Sequence, residues 1–376
     1  MKKGIVLYAY GDNSWIGGLY YIKNIAFMLS INNKITTKYN IYIFVEEKNA
    51  EVFYGLPKCI QLIIKENKED FGKKTFLLSF YLRKRVKYLY PSKKKSSFLN
   101  IKSIAWIPDF QHNNLPEMFS EEERVMRTAE YQELAQSNIA LVLSSNACKN
   151  DFEKIYKEDK QNVVVVPFVS YIEQEINDLD IQYEEDVLDK FNLKFEKYIY
   201  IGNQFWKHKN HIVVLKAIDL YLQKNPDSKV KFVFTGKMED YRNPEYSEEI
   251  KTMFSAQAIS GHAVNLGFIE RKEQIVIMKH AQFLIQPSLF EGWGTVVEDA
   301  KVLDKTIILS DIEVHREQKN AKCFLFDPYD ERQLEELIHH RLMETSQDSI
   351  DLGIKDMYER ALAYSECFFE LLEKYK

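Results

Sequence analysis

Short apolar runs alternate along this chain with longer stretches in which apolar positions recur at helical spacing. In the first half, runs at residues 5–10, 41–45, 101–107, 139–143 and 163–166 predict strands. A helix is predicted over 19–29, after a turn-rich loop containing glycines. An acidic stretch at 173–189 breaks the pattern, and its low apolar content reads as an interdomain linker. The order then restarts, with strands predicted at 198–201, 230–235, 264–268, 283–285, 306–309 and 324–326 and a helix over 210–223. The final stretch, 354–376, predicts an amphipathic helix. Strands that alternate with helices form βαβ units and mostly parallel sheets, so the expectation is an α/β protein of two domains, 1–187 and 188–376. A length of 376 residues agrees, because single cores stop growing before that size.

Composition narrows the class. With 45% hydrophobic and 28% charged residues and few Gly and Pro, the chain reads as ordered and globular, without a fixed-period repeat. No uncharged apolar run is long enough to span a bilayer, and the apolar opening is too short for a signal peptide, so the expectation is a cytoplasmic protein. Cys59, Cys148, Cys323 and Cys367 form no CxxC pair, which suggests neither a zinc site nor a disulfide framework. A net charge of −5 argues against general nucleic-acid binding. The charge is uneven, however: from Lys73 to Lys102 there are ten lysines and arginines, interleaved with Phe and Tyr, and no acid. Such a stretch suits an anionic membrane face or a phosphate-bearing acceptor; alternatively, residues 76–90 are a helix whose aromatic face is buried.

Parallel sheets place ligands beyond the carboxyl ends of their strands, which directs attention to the loops there. After the strand at 283–285 comes Gln286-Pro287-Ser288-Leu289-Phe290-Glu291-Gly292-Trp293-Gly294-Thr295, entering a helix that carries Glu298 and Asp299. Glycines admit a ligand to the backbone, the amides from Trp293 to Val296 can hold a diphosphate, and carboxylates accept paired hydrogen bonds from vicinal hydroxyls. After the strand at 198–201 stand Asn203, Lys207, His208 and Lys209, and after the strand at 101–107 stand Asp109 and His112. Gly17 and Gly18 end the loop before the first predicted helix, and Gly267 and Phe268 close the strand at 264–268. Asp178-Leu179-Asp180 has the spacing of a metal-binding DxD but no apolar strand before it, so it reads as a solvated run; no histidine spacing suggests a metal.

The segment from Glu291 to Ala300 resembles the glutamate-glycine-aromatic-glycine signature of family 4 of the retaining glycosyltransferases, and the likeness covers most of the chain. It implies the GT-B fold: two Rossmann-like domains facing a central cleft, with the terminal helix returning to the first. It implies that Glu291 contacts the donor sugar, that the following amides of Gly292, Trp293, Gly294 and Thr295 hold the diphosphate, and that an acid eight positions on binds the ribose. Asp299 stands at that eighth position, where the family has Glu, and Glu298 immediately precedes it. The loop at 202–211 resembles the family's arginine-to-lysine loop that neutralises the leaving group. Lys209 matches the lysine, but Asn203 stands at the arginine position, so either Lys207 or His208 would supply the missing charge. Gly17 and Gly18 resemble the family's glycine pair, Phe268 its nucleobase loop, and Asp109 and His112 the residues that face the donor sugar.

The implied reaction is metal-independent transfer, with retention, from a nucleoside diphosphate sugar to a hydroxyl on a glycan or lipid-linked acceptor. No cofactor beyond the donor is implied, and the setting would be bacterial surface glycan assembly, at the inner face of the membrane if residues 73–102 dock there. Two alternatives stay open: a non-catalytic partner subunit, favoured by Asn203, and a nucleotide-sugar epimerase of the same architecture.

Overall fold

The computed structural model describes residues 1–9, 16–65, 74–96, 100–137, 139–156, 163–344 and 352–375. It divides into two compact units, one made of 1–110, 125–171 and 355–376, the other of 111–124 and 172–354.

The first unit is built on a parallel sheet of β1 (Lys3–Tyr8), β2 (Tyr39–Glu46), β3 (Ile60–Lys65), β4 (Val86–Tyr90), β5 (Lys102–Ile107), β6 (Ala140–Leu143) and β7 (Val163–Val165), in the order 3-2-1-4-5-6-7. The central strand β1 buries Ile5, Val6 and Leu7 completely, as expected of a strand covered on both faces. The predicted strands 5–10 and 41–45 are β1 and β2, whereas β3 and β4 were not foreseen. Helix Ile16–Ile31 starts ahead of its predicted limit, which puts Gly17 and Gly18 in its first turn. Tyr10 and residues 11–15 of the preceding loop lie outside the described residues.

The basic stretch is not one surface. Lys73 and Phe98 lie outside the described residues, helix Lys74–Arg83 leads into β4, and Phe80, Tyr81, Tyr88 and Tyr90 are core. These four aromatic residues are therefore spent on packing, in a strand as well as a helix. Lys93, Lys94 and Lys95 are exposed, and Lys93 pairs with Glu130 at 2.9 Å. Among the described residues no helix is long and apolar enough to cross a membrane.

The terminal helix Ile354–Lys374 belongs to the first unit. It buries Met357, Ala361, Phe368, Leu371 and Leu372 at helical spacing, each large side chain contributing about 1.5–3 kcal/mol. Phe368 meets Tyr90 edge to face at 5.2 Å, and the Tyr88 hydroxyl donates to the Leu372 carbonyl at 2.6 Å. Asn32 donates to Ser365 Oγ at 2.9 Å while its Oδ1 caps helix Asn33–Lys38.

The second unit carries β8 (Tyr198–Gly202), β9 (Lys231–Thr235), β10 (Ala263–Asn265), β11 (Leu284–Gln286), β12 (Ile307–Ser310) and β13 (Cys323–Phe326), parallel in the order 10-9-8-11-12-13. The chain winds outward from β8 to β10, then returns to the other side of β8 for β11. The loops after β8 and β11 therefore diverge, and a crevice opens between them.

The segment 173–189, expected as a linker, is two helices, Glu173–Asn177 and Ile181–Lys190. They bury Ile176, Val187 and Leu188 and are tied to helix Arg271–His280 by Lys190–Glu273 at 2.5 Å and Lys279–Glu184 at 2.6 Å. Sparse apolar positions among many acids hid a one-sided helical pattern. The chain crosses between the units at 110/111, 124/125, 171/172 and 354/355. Asp178 ends the first of these helices and Asp180 caps the second through the Tyr183 amide at 2.7 Å, so the DxD is a pair of helix ends.

Candidate active site at the carboxyl edge of the second sheet

The loops after β8 and β9 press together. A Cβ on Gly236, whose φ is +127°, would lie 2.1 Å from the Asn203 carbonyl, so only glycine fits there. The β8 loop runs through Trp206 and a short helical turn, Lys207–Lys209, to Asn210 in the left-handed region. The Asn210 side chain donates to the carbonyls of Pro287 (3.1 Å) and Pro328 (2.8 Å), and the Leu289 amide donates to the His208 carbonyl at 2.8 Å. The β8 and β11 loops are thus laced into one frame.

Glu291 sits in that frame. Lys209 Nζ at 2.6 Å, Ser288 Oγ at 2.6 Å and Gln286 Nε2 at 2.8 Å all donate to its Oε1. Burial alone would raise the carboxyl pKa, but the Lys209 charge and the hydrogen bonds from Lys209 and Ser288 outweigh it and bring it down to about 2. Glu291 is an anchored carboxylate at any physiological pH. Asn203 does not stand free beside it: its amide and that of Gln286 bond each other, at 2.7 and 3.3 Å. At this position the chain has a neutral brace.

Helix Thr295–Val302 begins at Gly294, which has no side-chain cap. The Gly294 amide donates to Gln318 Oε1 at 3.0 Å. The next amides, Thr295 to Val297, are the first turn of the helix, where the dipole favours an anion. Gln318 also donates to Glu298 at 2.9 Å, and Lys301 pairs with Glu298 at 2.9 Å. Asp299, equally buried, goes the other way, to Arg271 Nη2 at 2.5 Å. Arg271 continues through Gln274 (2.8 Å) to the Tyr200 hydroxyl (3.1 Å). It opens the helix that follows Gly267 and Phe268, with Gly267 at φ +71° and the Phe268 ring 51% exposed beneath Lys237 Nζ.

Three buried imidazoles surround the ion pair. Burial, then the Lys209 charge, pulls His211 down to about 3 and His208 well below the usual range; burial also lowers His315. His315 Nδ1 lies 2.9 Å from the Ser310 carbonyl, which can only accept, so that nitrogen carries the proton. Ser310 in turn donates to the Ser288 carbonyl at 2.5 Å.

Of the remaining sequence candidates, Lys207 donates its amide to Asp240 at 2.9 Å. Gly292 lies between Glu291 and the buried Trp293. His112 is buried on the short helix Gln111–Asn114, near Phe119, and groups with the second unit. Asp109 groups with the first, as do Gly17 and Gly18, and its charge helps burial raise the Tyr131 hydroxyl pKa. Gln286, Ser288, Gln318, Arg271 and Asp240 were not singled out from sequence, since nothing local marks a neutral amide or a lone acid as part of a constellation.

Residues 185–349 match the family described as Glycosyl transferases group 1. No curated protein matches the sequence. Among solved structures, a glycosyltransferase from Rickettsia africae superposes with a TM-score of 0.69 at 15% identity, over 99% of both chains. Anabaena Alr3699/HepE, in complex with UDP and glucose, gives 0.69 at 12% identity over 99% of this chain and 100% of its own. WaaG, a glycosyltransferase involved in lipopolysaccharide biosynthesis, gives 0.59 at 12% identity over 96% and 95%. The likeness to these structures is one of fold: two parallel-sheet, Rossmann-like domains of the GT-B kind.

Proposed function

We propose that this chain, a glycosyltransferase of the GT-B fold whose residues 185–349 are a group 1 domain, moves a sugar from a nucleoside diphosphate sugar to a hydroxyl acceptor with retention. The observation that carries the reading is Glu291, an ionised carboxylate pinned by one oxygen at the switch point of the second sheet. Pinning fixes the other oxygen as an acceptor for the hydroxyls of a donor sugar. Three hydrogen bonds, one from a cation, also make Glu291 a poor nucleophile, which favours a same-face route over a glycosyl-enzyme. Lys209 and the amides that open helix Thr295–Val302 stabilise the leaving diphosphate. Asp299, joined through Arg271 to the helix behind Phe268, takes the ribose, and Glu298 holds the frame with Gln318. His112, which groups with the same unit as Glu291, serves the sugar end of the donor.

HepE, solved with UDP and with UDP-glucose, supports a uridine donor. WaaG's part in lipopolysaccharide biosynthesis supports a surface-glycan acceptor. The exposed Lys93, Lys94 and Lys95 are the part of the basic stretch fit to meet an anionic membrane carrying a lipid-linked acceptor.

A thermal-shift screen of nucleotide sugars, followed by transfer and hydrolysis assays with the best of them, tests the reading. At 100 times its dissociation constant a donor stabilises by about 2.7 kcal/mol. Turnover should persist in excess EDTA. Stabilisation with neither transfer nor hydrolysis would instead support a non-catalytic subunit, and no response to any nucleotide sugar would overturn donor binding.

A further inference from the structure

The leaving-group site as described is short of positive charge. Asn203 is neutral and engaged with Gln286, and Lys209 is shared with Glu291, so the pair adds little net field. The loop after β9 holds another cation. Arg242 has its guanidinium carbon 5.4 Å from the ring centre of Trp206, which stands three residues before Lys209 in the β8 loop, and 4.9 Å from that of Phe119. The side chain is only 10% exposed.

Arg242 Nε pairs with a neighbouring acid without sharing a hydrogen bond with it, which leaves that donor unspent. Asp240 lies 3.6 Å from Arg242 Nε, too far for a hydrogen bond, while its carboxylate accepts the amides of Lys207 (2.9 Å) and Arg242 (3.1 Å) and the Asn243 side chain (3.1 Å). Arg242 Nε is buried and makes no hydrogen bond among the described residues. Packing against aromatic faces suits a guanidinium, which stays charged there and remains a donor. The Arg242 charge, with those of Lys209 and Glu291, acts on the His208 imidazole, behind burial as the main influence.

We propose that Arg242 supplies the second positive charge of the diphosphate site, in place of the arginine expected at position 203. This rests on the donor-binding reading above, and it makes the cation arrive from the β9 loop, braced by Trp206 and Phe119.

Calorimetry with UDP, ADP and GDP and with the matching nucleosides tests it. Wild type should bind one diphosphate well above its nucleoside. Arg242→Gln should weaken that diphosphate about 10-fold, the lower end of the range for a charged hydrogen bond, and leave the nucleoside unchanged. Arg242→Met, which keeps an apolar side chain of similar reach without the guanidinium, should do the same, and Arg242→Lys should retain most of the affinity. Adding Asn203→Arg to Arg242→Gln should restore part of it. Unchanged diphosphate affinity in Arg242→Gln overturns the proposal, as does equal loss of nucleoside and diphosphate, which would mark a packing role. If wild type binds no diphosphate, the donor-binding reading fails and Arg242 loses its role with it.

Discussion

In the first unit the buried polar contacts around the central strands are made by hydroxyls. Tyr8 meets Tyr81, Tyr21 meets Tyr90, Tyr88 donates to Leu372, and the Tyr21 ring stacks on Trp106 at 3.6 Å. Burial raises the Tyr8, Tyr21 and Tyr90 pKa values, so these groups stay protonated and neutral. In the second unit the Tyr198 and Tyr200 hydroxyls on β8 do the same, bonding the Ile277 carbonyl and Thr235, but ion pairs are added to them: Lys209–Glu291, Arg271–Asp299 and Lys301–Glu298, all largely withdrawn from water. Neutral hydroxyl pairs are an economical way to satisfy a core. Buried ion pairs are not, because desolvation offsets most of their attraction. Three of them around the carboxyl edge of one sheet therefore point to work on a charged ligand, while the hydroxyl network points to a scaffold.

The strongest test of that contrast is in the scaffold. Phe368→Ala, which removes a fully buried ring packed on Tyr90, should destabilise the first unit by about 3–5 kcal/mol in denaturant melts. Diphosphate affinity should survive where the protein remains folded; loss of binding without loss of stability would break the division. Next comes Glu291→Gln. It should retain the fold and lower transfer on the order of 100-fold or more, measured as kcat with the identified donor. Near-normal turnover would remove Glu291 from the site. Lys209→Met should then weaken diphosphate binding by about 1.5–3 kcal/mol in calorimetry; it also leaves Glu291 unpaired, so its melting temperature must be read alongside.

The smallest effect expected is of pH. His208, His211 and His315 have folded pKa values below the unfolded value of about 6.5. The unfolded chain therefore takes up protons that the folded chain refuses, and stability that is complete above pH 6.5 declines as pH falls towards the folded values, about 3 for His211. Each histidine contributes up to about 1.4 kcal/mol per pH unit in that window. Urea melts at pH 7 and 5.5 should show the decline, and His211→Leu should make it shallower. An unchanged slope in that variant would mean that His211 titrates normally.

Much of this was readable from the sequence where the signal was local. Apolar runs between turn residues marked β8, β11, β12 and β13, and Glu291 and Lys209 stood in loops at strand ends. β3 and β4 escaped because Ile60–Lys65 and Val86–Tyr90 carry polar residues inside the run, and because lysines and arginines precede β4. The site's supporting residues escaped for a different reason. Gln286 meets Asn203 across 83 positions and Arg271 meets Asp299 across 28, so their roles exist only once the sheet is assembled in the order β10, β9, β8, β11. The acid-rich helices at 173–190 show that charge density alone does not mark a linker.

The terminal helix bears on how the protein is made. A ribosome releases Tyr88 and Tyr90 about 280 residues before Phe368 and Leu372, yet β4 needs both the Leu372 carbonyl and the Phe368 ring to close its core. The second unit, apart from residues 111–124, is continuous from 172 to 354 and is available in full before the first can be finished. Domains generally fold as units in the order they emerge, but here the earlier-born one must wait, exposing the face over Tyr90 and Asn32 until residues 365–372 have been made. The nascent chain is thus most vulnerable to aggregation and proteolysis in its oldest segment, and that exposure ends only when the last helix docks.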